Sequence, residues 1–272
     1  MRQSVSTVAD QLPEELSTAL AATVAERGVF GARLIYAAEV GSTNDLASAA
    51  AERGADEGTT FVAGAQTAGR GRLGRTWFSP PDAGLYLSTI VRRAGLAPWM
   101  ALAGGVAVAD GIRVATALPL EIKWPNDIVA VGGAGFRARR KIAGILAEAS
   151  SGPEGVHHVV LGMGINLRPA AFPPALADRA SSIESELGRP VDSGAVLAQV
   201  LAALNRTLGA LERSGPAALL ARWLALSPSA HGASIEWDGG AGQTAGLAED
   251  GALLARTSNG VHRIIAGEVR WT

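Results

Sequence analysis

The sequence predicts an α+β fold: a large domain of mixed strands and helices over residues 1–225, then a small β-barrel-like domain over residues 226–272. Three observations carry this. The chain has 272 residues and is 48% hydrophobic, enough for a sizeable core. Up to about residue 170, apolar runs with strand and helix periods follow one another. From about Ala233 the pattern becomes short β runs joined by "DGG", "EDG" and "SNG" turns.

Taken in order, "LPEELSTALAATVAERG" has the pattern of an amphipathic helix closed by Gly28. "ARLIYAAEV" is a strand, and in "GSTN" the residues Ser42, Thr43 and Asn44 are placed to cap the helix "DLASAAAERG". "GTTFVAGAQ" and "GLYLSTIVRR" are strands on either side of a Gly/Arg-rich loop. "PWMALAGGVAVADGIRVATAL" has helical length, with Pro98 near its start. "LEIKW" and "DIVAV" are short strands flanking Pro125-Asn126, and "KIAGILAEAS" and "VHHVVLGMGINL" are two more. "SGAVLAQVLAALNRTLGALERSG" is a strong amphipathic helix, broken by Gly215-Pro216 before "AALLARWLAL".

Composition limits function. With no cysteine, disulfides, thiolate metal sites and cysteine nucleophiles are excluded. A net charge of −1 gives no global match to nucleic acid, so any cationic function is local. No secretory signal precedes the first helix and no stretch of about 18 uninterrupted apolar residues suggests a membrane span; a cytoplasmic protein without a membrane partner is expected. Of 24 basic residues only Lys123 and Lys141 are lysine and all the rest are arginine, which marks those two as positions suited to a compact ammonium.

Four stretches carry chemistry. In "GRGRLGRTW", Gly69, Gly71 and Gly74 allow close backbone approach, Arg70, Arg72 and Arg75 suit phosphate or carboxylate, and Trp77 offers a ring face. This fits an anionic ligand such as a nucleotide, against a disordered Arg/Gly segment or a nucleic-acid tract. "KWPND" places Lys123, Asn126 and Asp127 at a turn; its plain reading is a turn with a solvent-facing lysine. Lys141 opens an apolar strand beside Arg137, Arg139 and Arg140, which are solvated charge or a polyanion contact. In "LGMGINL", Gly162 and Gly164 alternate within a β-prone run ahead of Asn166, the mark of close approach by a ligand or another backbone. His157 and His158, adjacent on a strand, point to opposite faces and make a poor metal site.

"GSTN", "QTAGRGRLGRTWFSP", "GLYLS", "KWPNDI", "RRKIAGIL" and "GMGINL", in that order, resemble the biotin protein ligases over roughly residues 35–170. The resemblance implies a central mixed β-sheet with flanking helices, with biotin and ATP as substrates accompanied by Mg2+. It implies that biotin's carboxylate attacks the α-phosphate to give biotinyl-5′-AMP and pyrophosphate. A lysine of a biotin carboxyl carrier domain of an acyl-CoA carboxylase then displaces AMP. Ser42, Thr43, Asn44 and Gln66 are thereby expected to hold biotin. Gly69 and Arg70 belong to the loop over biotin and phosphate, with Arg72 steadying that loop, and Gly162 and Gly164 admit the ligand. Trp77, Asn126 and Asn166 are expected on the adenine side, with Lys123 and Asp127 also at ATP, where Asp127 is expected to orient a lysine or the Mg2+. Lys141 is expected at the reacting carboxylate and α-phosphate, with Arg70 and Arg72 as its catalytic companions.

Many relatives carry a winged-helix DNA-binding domain, but too few residues precede Gly41 for one, so a ligase without specific DNA binding is expected. Leu73 stands where many relatives have a basic residue. The rival enzyme is a lipoate–protein ligase, against which the complete Arg/Gly stretch weighs. Octanoyltransferases need a cysteine nucleophile that is missing here. A repressor and a catalytically dead biotin-binding module are the readings from other classes. The near-neutral charge opposes the first, and the presence of Trp77, Asn126, Lys141 and Asn166 opposes the second.

Overall fold

A computed structural model describes residues 10–131 and 139–272. Arg137 and most of the glycine-rich segment before Lys141 lie outside the described residues.

Seven strands form the main sheet: β1 (Leu34–Val40), β2 (Thr60–Gln66), β3 (Gly84–Val91), β4 (Leu120–Lys123), β5 (Asp127–Ala130), β6 (Lys141–Gly152) and β7 (Gly155–Asn166). Their order is β1-β2-β3-β7-β6-β5-β4, with β1 and β2 parallel and every other pair antiparallel. The sheet is therefore mixed, as expected. The "KWPND" turn joins β4 to β5 as a hairpin, Lys123 pairing with Asp127.

The first predicted helix breaks at Thr23 into α1 (Glu14–Ala22) and α2 (Val24–Arg27), and Gly28 ends it at φ +55°. Next come α3 (Thr43–Glu52), α4 (Met100–Thr116), the short α5 (Pro174–Ala177) and α6 (Ile183–Leu187), α7 (Ser193–Ser214) and α8 (Pro216–Ala225). The segment Ala94–Thr116 and α7 are each long and apolar enough to cross a membrane by length and composition, but the most apolar part of each is largely buried inside the protein. That burial is the core: α4 packs on α7 so closely that a Cβ on Gly111 would lie 2.5 Å from the Cα of Val200.

Strand period assigns the sheet's two faces. On β7, Leu161, Met163 and Ile165 enter the core beneath α4, while Gly162, Gly164 and Asn166 face the other way. On β6, Ala143 and Ile145 enter the same core, while Gly144 and Leu146 lie beside Gly164 and Gly162. Helix α3 covers part of this second face through Ala47, Ala50 and Ala51 against Phe61, Ile90 and Val160. The rest stays open and becomes the site.

After α8 five antiparallel strands form a second sheet: β8 (His231–Trp237), β9 (Gly240–Leu247), β10 (Leu253–Thr257), β11 (Gly260–Ile264) and β12 (Val269–Trp271), in the order β11-β10-β9-β8-β12. Its inner residues Ile235, Leu253 and Val269 belong to the same apolar core as α4 and α7. The indole N–H of buried Trp124, in the β4–β5 turn, donates to the carbonyl of Gly251 at 3.1 Å and ties "KWPND" to this second sheet.

Candidate active site

A cleft of about 570 Å³ opens on the uncovered face of the main sheet, and fourteen of the fifteen sequence-predicted site residues line it. Gly69, the exception, packs immediately behind: a Cβ there would lie 2.6 Å from the carbonyl oxygen of Trp77.

One end is uncharged and hydrogen-bonded. Ser42 takes the N-cap position of α3 with extended backbone but makes no side-chain capping bond, so the capping expectation holds for position only. Thr43 and Asn44 lie in the first turn and are buried, because their side chains turn to the sheet instead of the helix terminus. Gln66 Oε1 accepts from the Thr43 N–H at 2.9 Å and from its hydroxyl at 3.1 Å, and Gln66 Nε2 donates to Ser79 Oγ at 3.0 Å. The Ser88 hydroxyl is within bonding distance of Thr43 Oγ1, at 2.7 Å, and of Asn44 Oδ1. Asn44 Nδ2 donates to Glu148.

The Arg/Gly stretch is a small hairpin over the cleft. Arg70 pairs with Thr76 in a bridge, the Gly71 N–H donates to the Arg75 carbonyl at 2.7 Å, and the Trp77 N–H donates to the Gly69 carbonyl at 2.9 Å. Leu73 and Gly74 form its tip at φ +56° and +72°, and Leu73 is exposed. Three arginines leave in three directions. Arg70 is held by Asp45 and Glu148, and the hydrogen bond to Asp45 raises its pKa. Arg75 reaches the second sheet at Glu268, whose carboxyl is lowered by that bond. Arg72 points inward to Asn126 Oδ1 at 3.3 Å, and burial lowers its pKa.

The other end is cationic. Lys141 Nζ pairs with Asp127 Oδ1 at 2.6 Å and sits 5.0 Å from the centre of the Trp77 ring. The Trp77 ring packs against Gly144 and Gly164, register partners on β6 and β7. Added Cβ atoms there would meet its ring at 2.9 and 2.4 Å. A Cβ on Gly162 would come within 2.3 Å of Asn44 Oδ1. Both β7 glycines thus admit protein side chains that themselves line the cleft. Asn126 donates to the Ile145 carbonyl at 2.8 Å, and buried Asn166 donates to the Ser181 carbonyl at 3.0 Å. Lys123 stands 5.9 Å over the Trp271 ring. Burial lowers its pKa, with Arg179 and Lys141 adding to the shift and Asp127 and Glu268 opposing it.

The distribution of neutralisation matters more than the count of cations. Arg70, Arg75, Arg139 and Lys141 each have a carboxylate partner. Among the described residues of the cleft, Arg72, Lys123 and Arg179 have none within ion-pair distance. Beside the cleft a second recess of about 540 Å³ is lined by Lys123, Arg139, Arg179 and Arg270, with Glu268. Positive charge without an ion-pair partner therefore gathers at one end of the cleft, an arrangement suited to a polyanion.

Sequence reading missed Asp45, Ser79, Ser88 and Glu148. One left a signal: Glu148 is a charged residue inside a strand otherwise read as apolar.

This arrangement has known counterparts. The profile of the Biotin/lipoate A/B protein ligase family matches residues 36–166. The bifunctional ligase/repressor BirA of Bacillus subtilis is 33% identical over 89% of this chain and 74% of its own length. A biotin–[acetyl-CoA-carboxylase] ligase of Paracoccus denitrificans is 34% identical over 75% of this chain and 86% of its own. The biotin protein ligase of Aquifex aeolicus, solved with biotin and ATP, superposes with a TM-score of 0.74 at 29% identity, covering 89% of this chain and 99% of that one. The chain belongs to the biotin/lipoate protein ligase family, and within it to the biotin protein ligases; it is a ligase.

Proposed function

We propose that this ligase attaches biotin to a lysine of the biotin carboxyl carrier domain of an acyl-CoA carboxylase, by way of biotinyl-5′-AMP. The observation that carries the reading is the polarity of the cleft: a neutral hydrogen-bonding row at Thr43, Asn44 and Gln66, and unpaired cations at Arg72, Lys123 and Arg179. The row suits the ureido ring of biotin, which has both donors and an acceptor and carries no charge. The cationic end suits the triphosphate of ATP. The Aquifex aeolicus relative, which binds both molecules, supports the pairing.

In the first step a biotin carboxylate oxygen attacks the α-phosphorus of ATP. The bond from that phosphorus to the α,β-bridging oxygen breaks, and pyrophosphate leaves with the electron pair. Two anions must meet for this to happen, so the barrier is largely electrostatic. Lys141 supplies a point charge at the junction, held by Asp127 and the Trp77 face. Arg72 reaches in from the hairpin. The adjoining basic recess is placed to receive the departing pyrophosphate. In the second step the neutral carrier lysine attacks the anhydride carbonyl carbon, AMP leaves, and the amine loses a proton. Mg2+ is expected with ATP. Among the described residues no three acidic or histidine side chains converge, and Asp127 is engaged by Lys141, so phosphate oxygens would be its main ligands and no step here rests on it.

ATP–pyrophosphate exchange tests the substrate. Biotin should stimulate exchange and lipoate at the same concentration should not. Stimulation by lipoate alone would transfer the chain to the lipoate branch.

The hairpin gives a second expected result. It buries no side chain in its tip turn and is fixed by ion pairs at its margins, a low-stability construction. Hydrogen exchange over residues 69–75 should be fast without substrates and slow with biotin plus ATP. Equal protection in both states would exclude ordering of this loop on the ligands.

A further inference from the structure

Resting on the biotin reading above, we infer that Glu148 is a positioning residue that sets the donor–acceptor direction of the row that meets the ureido ring. Glu148 lies on the cleft face of β6, where its register partner is Val160, and its carboxylate takes a hydrogen bond from Asn44 Nδ2. An ionised carboxylate can only accept, so Asn44 must turn its NH2 towards Glu148 and its Oδ1 towards the sheet. Packing allows nothing else to intrude: Asn44 is 5% exposed and lies against Gly162. The inward Oδ1 is an obligate acceptor, and the proton that it takes is the one on Ser88 Oγ. Ser88 Oγ is also placed to donate to Thr43 Oγ1 at 2.7 Å, but its only proton is drawn to the obligate acceptor Asn44 Oδ1. Thr43, not called on to accept from Ser88, directs its hydroxyl proton into the protein to Gln66 Oε1 and keeps its lone pairs for the cleft. One charge at the end of the row thus fixes the orientation of three uncharged groups, and the face offered to the ligand is an acceptor for ureido N–H donors.

Glu148 also accepts from Arg70 at 3.0 and 3.3 Å, so a second route to the substrate exists through that guanidinium. The two routes differ in what they recognise. The amide row meets the ureido ring, whereas Arg70 can matter only to the carboxylate end or to phosphate. Biotin methyl ester separates them, since it keeps the ring and lacks the charge.

The experiment is calorimetric titration of biotin and of biotin methyl ester into wild type, Glu148→Gln and Asp45→Asn. Glutamine has the same shape but can donate as well as accept, so the row can reverse. Glu148→Gln should weaken both ligands by a similar factor, about 10- to 100-fold, with kcat at saturating biotin and the KM for ATP within about threefold of wild type. Asp45→Asn, which disturbs Arg70 alone, should leave the ester unaffected. In an Asn44→Ala background, Glu148→Gln should have no further effect on the ester. That arm holds even if the single variant is less stable. Weakening of biotin but not of the ester, or an ester effect that survives in the Asn44→Ala background, would overturn the assignment. So would unchanged affinity for both ligands. Wild type binding neither ligand would instead refute the biotin reading on which this rests.

Discussion

Lys141→Ala and Lys141→Arg should each slow biotinyl-AMP formation by about 10²- to 10³-fold, the usual cost of removing one electrostatic contact from a transition state. The alanine result follows from lost charge. The arginine result follows from shape. Lys141 Nζ fits between Asp127 at 2.6 Å and the Trp77 ring at 5.0 Å, over a floor where even a Cβ on Gly144 would lie 3.1 Å from Nζ. A guanidinium is planar and wider than an ammonium, and over that floor it cannot bring its charge to the point that Nζ occupies. Single-turnover formation of adenylate is the measurement, with circular dichroism confirming the fold. Biotin affinity should fall less, because Thr43, Asn44 and Gln66 are untouched. Arg140→Ala is the appropriate control, since Arg140 pairs with Glu186 at the surface. Arg139, its neighbour in the same basic run, is a poor one. It holds the buried Glu121 through two contacts of 3.0 Å, and its loss would strand that carboxylate at a cost of about 3–5 kcal/mol. A near-wild-type rate for Lys141→Arg would move the assigned role to Lys123.

The reading of Arg139 shows where sequence is informative and where it is not. Periodicity is local, so the strands, the long helices and the alternation of glycines in "LGMGINL" are visible in the chain. Because a strand's side chains alternate, Gly162, Gly164 and Asn166 had to share one face whatever lay above them. What lay above them was not legible. Asn44 comes from α3 and Trp77 from the hairpin, and only the fold brings them onto β7. Charge behaved the same way. "GRGRLGR" shows three arginines of equal standing, yet Asp45, Glu148 and Glu268 neutralise two of them and leave Arg72 as the inward cation. These partners lie between 25 and 193 residues away in sequence. The break of the first helix at Thr23 was missed for a smaller reason: its hydroxyl donates to the Ala19 carbonyl, a local bond that competes with regular helix and leaves no trace in the apolar pattern.

Gly164→Ala should abolish most adenylate formation with only a modest loss of stability. The new methyl would stand 2.4 Å from both Cε2 and Nε1 of Trp77, closer than any real contact. Strand β7 cannot recede, because it is paired on both sides, with β3 and β6, and its reverse face is Met163 and Ile165 in the core. The ring must therefore lift, and it cannot lift alone. It lies beneath Lys141, and its backbone closes the hairpin through the Trp77 N–H to Gly69. Displacing it shifts the ammonium, the loop and the floor of the cleft together. Overpacking of this kind costs about 1–3 kcal/mol, while a misplacement of about 1 Å in a reacting geometry costs on the order of 10²-fold in rate. The comparison that isolates the cause is Gly71→Ala, in the same hairpin. Its Cβ would meet nothing nearer than 3.5 Å, and its φ of −117° suits any residue, so activity should stay within about threefold of wild type. Thermal denaturation and single-turnover adenylate formation on the two variants decide the matter. If Gly164→Ala forms adenylate as fast as Gly71→Ala, the contact between Trp77 and β7 is not what holds the reacting groups in register.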